Sequence, residues 1–457
     1  MALERSSTDA DPRWVGERRA ARGGDVNVSR DGWRQAWPAG VVALALGGGS
    51  GATFASGFQL QEQSASGLGA AYAGMAAAAM DASTAFWNPA GMSLLPDRQV
   101  VGALHYIVPK RTFASSGSTY DAAGAGGDGG VSAVVPALYG TWAVAPQWSV
   151  GLAINAPFGL ATEWDSPWAG QFHAIRSEIK TLNLNPTVSF KPSPAVSIGA
   201  GLSYQQMKAE LTNAAPGTPS GPLPGGIVGA IQNPVLATVQ GDDWGWGWNL
   251  GAMFDFGQGS RLGATYRAKV RYTLEGDLSY SGAAPLAPAA QAVTAKVDLP
   301  DTFSLGGSHQ VNAQWRVLAD YTWTGWDSIQ SLDINSAATG ARLSGVELRF
   351  KNSWRVGLGA EWQVSTPWLL RAGLAHDTSP VRDEYRTPRL PDSDRLWLAL
   401  GLRYQPSPAM WFDAGYTYIR MKDAPSQLQP APPLPGTLNG TYQGNVQVLG
   451  VQAAFRF

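Results

Sequence analysis

Cysteine is absent from the 457 residues of this chain. That excludes structural disulfides, thiolate metal sites and lipid attachment at an N-terminal cysteine. Charge is scarce: Asp, Glu, Lys and Arg make up 15%, where soluble proteins carry about 25%. The formal net charge of −1 provides no basic surface for nucleic acid. Beyond the N-terminal region no run of 18 apolar residues occurs, so membrane-spanning helices are excluded. The histidines His105, His173, His309 and His376 fall in separate segments without ligand spacing, so neither a metal site nor a cofactor is expected.

What the chain has instead is glycine and aromatics: 55 Gly, 19 Trp and 14 Tyr, with a mean hydropathy of −0.12. Hydrophobicity that is present but never contiguous points to alternation, as in a transmembrane β-barrel. Side chains on a strand alternate between faces. In 395–404, Leu396, Leu398, Leu400, Leu402 and Tyr404 share one face, with Arg395, Trp397, Ala399, Gly401 and Arg403 on the other. In 354–362, Trp354, Val356, Leu358, Ala360 and Trp362 oppose Arg355, Gly357, Gly359 and Glu361. Fourteen such segments can be counted from residue 98 to the end. Short connections such as Pro146-Gln147 and Pro406-Ser407-Pro408 alternate with long ones near 111–133, 158–178, 212–242, 278–292, 328–345, 377–393 and 422–442. Bacterial barrels have short periplasmic turns and long extracellular loops. A soluble β-sandwich would not put Trp and Tyr at strand ends on the Leu/Val face. The last strand closes on Phe457, with Leu449, Val451, Ala453 and Phe455 on one face. Before Leu449 the alternation fails, since Val446 and Val448 fall on the polar face.

The N-terminus reads as an export signal. Arg30 and Arg34 precede a short apolar core, Val41 to Leu46, and Thr53-Phe54-Ala55 supplies small residues at the −3 and −1 positions. Residues 1–55 are thus read as a signal peptide carrying an N-terminal extension upstream of the true translation start, with cleavage after Ala55. Residues 56–97 do not alternate, and the Ala/Gly-rich stretch from Ser64 to Met80 suits compact helical turns. This segment reads as a plug in the lumen or a periplasmic linker. The barrel is read as 98–457.

Several stretches resemble a known family. Ser56-Gly57-Phe58-Gln59-Leu60, Glu62-Gln63-Ser64-Ala65-Ser66-Gly67-Leu68-Gly69 and Asn88-Pro89-Ala90-Gly91 resemble the hatch of the long-chain fatty acid and aromatic hydrocarbon transporters of the FadL/TodX family. Pro157-Phe158-Gly159-Leu160, Leu182-Asn183-Leu184-Asn185-Pro186 and Pro391-Asp392 with Asp394-Arg395 extend the match over the mature chain. The resemblance implies an all-β fold: a 14-stranded antiparallel transmembrane barrel with an N-terminal hatch inside the lumen. It implies passive uptake of hydrophobic molecules through an apolar pocket, across the outer membrane of a Gram-negative cell. It also implies lateral exit at a kink in the third strand, here Asn155, Pro157, Phe158 and Gly159, contacted by Asn88-Pro89-Ala90 with Phe86 and Gly91 beside them as the gate. Pro89 fixes φ, removes a donor and biases Asn88 to an extended conformation.

Long-chain fatty acids are the expected cargo, with neutral aromatic hydrocarbons as the alternative on the same scaffold. A barrel enzyme acting on lipids and a hydrophilic porin are the readings of other classes. No catalytic residue is assigned. Alternation turns Arg267, Lys269, Arg316, Arg355, Arg371, Arg395 and Arg403 inward, against Asp320, Glu361 and Asp413. Arg316, Arg355, Arg371 and Arg395 are the candidate partners of a substrate carboxylate, unless they pair with those acids. The expected surroundings are outer-membrane lipid and lipopolysaccharide, around a monomer.

Overall fold

The computed structural model describes residues 56–215, 235–281, 289–429 and 436–457; the signal peptide and its cleavage site lie outside them. Fourteen antiparallel barrel strands occur among the described residues. They are β1 (Arg98–Ser115), β2 (Ala133–Ala145), β3 (Trp148–Asn155 and Gly159–Glu163), β4 (Arg176–Ser193), β5 (Val196–Ala215), β6 (Val235–Asp255) and β7 (Ser260–Arg267 and Val270–Ser281). The remainder are β8 (Gln291–Leu299 and Thr302–Gln310), β9 (Trp315–Thr324 and Ser331–Ser336), β10 (Arg342–Glu347 and Ser353–Ser365), β11 (Trp368–Asp377), β12 (Arg395–Ser407), β13 (Met410–Met421 and Ala424–Leu428) and β14 (Leu438–Arg456). Each strand pairs with the next, and β14 pairs with β1 along its length, from Gln99↔Arg456 to Ser115↔Gly440. The sheet therefore closes on itself, the condition for a β-structure in lipid.

The alternation decides which way each side chain points. Leu396, Leu398 and Leu400 are exposed on the outer surface, while Arg395, Trp397 and Ala399 are buried inside. Aromatic pairs stand on the outer face next to the short turns: Trp148 with Phe190 (ring centroids 4.5 Å apart), Trp315 with Trp362 (5.5 Å) and Trp368 with Tyr404 (4.5 Å). They form the interfacial girdle of a transmembrane barrel. Several strands run further outward than the alternation indicates. β6 begins at Val235, inside a segment read as loop, and β14 begins at Leu438. The inward Val446 and Val448 are fully buried in one cluster with Leu68 and Tyr72 of the N-terminal segment, which is why the last strand breaks its pattern there.

Residues 56–97 contain three four-residue helical turns and a 3-10 helix, Pro89–Leu94, nearly all buried. They pack against the lumenal wall where its side chains are missing. A Cβ on Gly373 would meet the Ala70 backbone, and one on Gly401 would lie 2.6 Å from Gly69 Cα. One on Gly263 would strike Ala76, one on Gly251 Asn88, and one on Gly199 Pro89 and Ala90. The inward glycines of successive strands thus form a recessed track for the hatch backbone.

Gly373→Val is expected to leave the barrel assembled, because Val suits a strand, but to lift the hatch at Ala70 at a cost of about 1–3 kcal/mol. Limited proteolysis within 56–97 and the denaturation midpoint check this; wild-type resistance in the variant would show that the track does not seat the hatch.

Candidate functional site

The third strand is interrupted between Asn155 and Gly159. The β2–β3 ladder runs from Ala145↔Trp148 to Leu138↔Ile154, and beyond it the ladder gives way to an isolated bridge, Gly130↔Thr162, and to loop contacts such as Asp165 N–H to Gly126 O at 2.9 Å. Asn155, Pro157, Phe158 and Gly159 therefore lie in a break of the wall. Backbone groups there still need partners, and the hatch supplies them. Pro157 O accepts Leu60 N–H at 2.8 Å, and Gly159 N–H donates to Phe58 O at 2.9 Å. Gln63 Nε2 donates to Ala156 O at 2.9 Å. Phe158 N–H donates to Thr181 Oγ1 at 3.0 Å, whose hydroxyl donates to Phe158 O at 2.6 Å. Asn155 Nδ2 donates to Gln63 Oε1 at 2.7 Å, and its Oδ1 accepts from Asn183 at 2.9 Å.

The hatch residues at the kink are thus Phe58 to Gln63. Asn88, Pro89 and Ala90, expected there, lie instead against β5, β6 and β7. Asn88 Nδ2 donates to Ala76 O at 2.7 Å and to Ala252 O at 3.1 Å, and its Oδ1 accepts Ala90 N–H at 3.1 Å. It caps the 3-10 helix that opens with Pro89. Met92, in the same turn, is what reaches β3, at Gly151. Phe86 O accepts from Arg267 Nη2 at 2.8 Å, with the guanidinium 4.3 Å above the Phe86 ring; Gly91 packs against Thr84. This cluster fixes the middle of the hatch to the wall.

Outward of the hatch, the lumen is apolar along one side. Phe58, Ile179, Met207, Leu211 and Leu274, with Val293, Ala295 and Val297 of β8, surround an apolar cavity. Phe58 belongs both to this cavity and to the kink. Its ring lies 6.0 Å from Phe158 and 4.9 Å from Trp326, an edge-on aromatic cluster between the cavity and the break in the wall. Gly57 makes the approach possible: its φ of 62° is left-handed, and a Cβ there would meet the Trp326 ring at 2.6 Å. Sequence reasoning does not single out Phe58, Gln63, Thr181 or Trp326. Phe58 and Gln63 stand in the stretches that carry the family resemblance, and nothing local in the sequence marks Thr181 or Trp326.

The four candidate carboxylate partners all have protein acids. Arg316 pairs with Glu361. Arg371 donates to Glu361 at 2.7 Å and to Asp413 at 2.6 Å. Arg355 lies 3.2 Å from Asp320 and donates to Ala71 O. Arg395 pairs with Asp392 and lies 4.0 Å from Asp377. Arg403 completes the network on Asp413 at 2.8 Å. This network does not present free cations to a substrate. It sits beside the hatch and holds it through Gln452, which donates to Asp81 at 2.9 Å and to Asp413 at 3.3 Å.

The family described as outer membrane protein transport protein (OMPP1/FadL/TodX) has a sequence model that matches residues 47–457. A long-chain fatty acid transport protein of Escherichia coli O6:H1 is 28% identical over 404 residues, covering 83% of this chain and 90% of that one. The crystal structure of a Pseudomonas aeruginosa FadL homologue superposes with a TM-score of 0.80 at 26% identity, covering 88% of this chain and 100% of that one. The P. putida toluene transporter TodX gives a TM-score of 0.64 at 18% identity, over 82% and 94%, a likeness of fold alone.

Two outcomes are expected of the buried charges. Arg371→Ala leaves Glu361 to Arg316 and Asp413 to Arg403 and is expected to cost about 1–3 kcal/mol of stability through the lost buried hydrogen bonds, with the ratio of oleate to toluene uptake unchanged. A selective loss of oleate uptake would return Arg371 to the candidate receptors. Burial raises the hatch carboxyl of Glu62 to about 7, against the pull of Arg395 and Arg355. A raised carboxyl favours the folded state when protonated, so its contribution is lost as pH rises from the usual carboxylate range through about 7. The denaturation midpoint is expected to fall over that window, and Glu62→Gln to flatten the fall; equal slopes would contradict it.

Proposed function

The chain belongs to the family of outer membrane transport proteins described as OMPP1/FadL/TodX, and from that premise we propose that it takes up long-chain fatty acids by passive diffusion, through the apolar cavity and out through the wall at the β3 break. The observation that carries this reading is that one hatch segment serves both places. Phe58 lines the cavity, while its own carbonyl and the N–H of Leu60 hold the kink. A hydrophobic solute gains about 25 cal/mol per Å² of surface that it buries in the cavity, so no energy source is needed to load it. Displacement of Phe58 by that solute loosens the hydrogen bonds at residues 157–159 and opens the way into the bilayer. Asn88, Pro89, Ala90 and Gly91, with Phe86, act as the fixed end of the hatch, against which the segment 56–63 moves.

Fatty acids are preferred over neutral aromatic hydrocarbons because the Escherichia coli relative is named for the former, while the likeness to the toluene transporter extends to the fold alone. Aromatic hydrocarbons remain the second reading, favoured by the aromatic cluster around Phe58. Neither calls for a catalytic step. The protein works as a monomer, its long loops among lipopolysaccharide and its outer face in outer-membrane lipid.

Gln59 and Phe158 are directly opposed across the hatch–kink bridge, and such pairs lie about 4.5–5.5 Å apart between Cα atoms, within reach of a disulfide. With no native cysteine to interfere, Gln59→Cys combined with Phe158→Cys is expected to abolish oleate uptake in a deletion strain when oxidised and to regain it on reduction, each single variant remaining active. Undiminished uptake by the oxidised protein would end the gating reading.

A further inference from the structure

The charge missing from the lumenal network is found on a loop. The segment 378–394 between β11 and β12 carries Arg382, Arg386 and Arg389. Arg386 is paired with Asp383 at 2.7 Å, and Arg382 donates to Arg349 O at 2.8 Å. Arg389 is different. Its Nη1 donates to Ser177 Oγ at 3.1 Å and its Nη2 to Asn213 Oδ1 at 2.9 Å. Both acceptors are neutral, and no ion pair to Arg389 occurs among the described residues.

Resting on the transport reading above, we propose that Arg389 is the receptor for the anionic head group of the cargo, so that the cavity takes amphiphiles with a long apolar tail and a carboxylate.

The placement follows from strand periodicity. Ser177 and Ile179 are two residues apart on β4, and Asn213 and Leu211 two apart on β5; Ile179 and Leu211 line the cavity. Two residues along a strand advance about 6.6 Å, so the guanidinium stands one pleat outward of the cavity wall, on its extracellular rim. The next residue, Leu390, is buried in the same apolar cluster as Phe58 and Phe158. A tail in the cavity and a head on Arg389 therefore need no bend around the wall.

The local acids are already engaged. Glu163, Glu178 and Glu210 pair with Arg176, and Glu178 also with Lys180. The internal segments 216–234, 282–288 and 430–435 contain no Asp or Glu, so they supply no competing carboxylate. Burial draws the Arg389 guanidinium down to about 10, and it stays cationic at neutral pH. A partly buried cation bonded only to neutral oxygens gains from a carboxylate, which an Arg fork can hold in a bidentate manner. The head-group position is also tied to the exit. Thr162 Oγ1 donates to Arg389 O at 3.2 Å and Trp164 Nε1 to Pro388 O at 3.1 Å, and both donors follow the break in β3.

Oleate and oleyl alcohol share a tail and differ in the carboxylate, which makes them the test pair. Binding of each is measured on the full chain in lipid nanodiscs, with a heat-modifiable gel shift reporting an intact barrel. Arg389→Ala is expected to weaken oleate about tenfold, the size of one lost hydrogen bond to a charged group, and to leave oleyl alcohol within about twofold of wild type on that same scale. Arg389→Lys is expected to fall between wild type and Arg389→Ala for oleate. Unchanged oleate binding in Arg389→Ala, or equal losses for both ligands, overturns the proposal while the transport reading stands. If the wild-type protein binds neither ligand, the transport reading falls and this inference falls with it.

Discussion

A β-structure in lipid has no water to satisfy its backbone, and the organisation of this protein depends on that constraint. Most junctions between neighbouring strands meet it with ladder hydrogen bonds over much of their length. At β2–β3 the ladder stops at Leu138↔Ile154, and the wall can stop there only because something else takes up the freed groups. The hatch does so through Phe58, Leu60 and Gln63, with Thr181 from β4 completing the set. An unpaired buried backbone group costs about as much as the hydrogen bond it lacks. Hatch and wall are therefore mutually dependent at this point, and movement of the segment 56–63 changes the state of the wall directly.

The need to seat a plug against that wall explains the glycines and the charges. A lumen filled by ordinary side chains would leave no space for the hatch, residues 56–97. Inward glycines on β5, β6, β7, β11 and β12 let hatch backbone approach wall backbone closely. That contact is largely apolar and small, so it needs a polar complement to fix its position. Asn88 supplies it at one side through the Ala76 and Ala252 carbonyls; Asp81, with Gln452, supplies it at the other. The Arg–acid network extends this second anchor. Buried charges that share partners can fix geometry even where their net contribution to stability is small.

The architecture was legible in sequence because lipid imposes its pattern on every strand. Periodicity determined the strand number and the alternation of short and long connections. It failed where lipid no longer acts. Gln240 and Asp242 of β6 are exposed on the outer face beyond Trp244, so the pattern that marks the rest of the strand is missing there. It failed again at Val446 and Val448, where the inner face meets the hatch and not water. The site was legible in part. The break at Pro157 shows itself as a proline and a glycine interrupting the alternation. Which hatch residues meet it does not, because a contact between residues such as Gln63 and Asn155, far apart in the chain, has no local signature. For the same reason the arginines could be placed on the inner face but not matched to Asp377 and Asp392, which lie at a strand end and on a loop.

This division bears on selectivity. The lumenal arginines serve the hatch, and the cavity wall is apolar, so any discrimination by charge has to come from the rim. The rim is built by loops, which tolerate change better than the wall because they carry fewer packing constraints. A replacement at a position such as Arg389 alters what the cavity accepts without disturbing the glycine track or the kink. The wall and hatch can then stay constant while cargo preference varies, which is what a scaffold shared by fatty-acid and aromatic-hydrocarbon transporters requires.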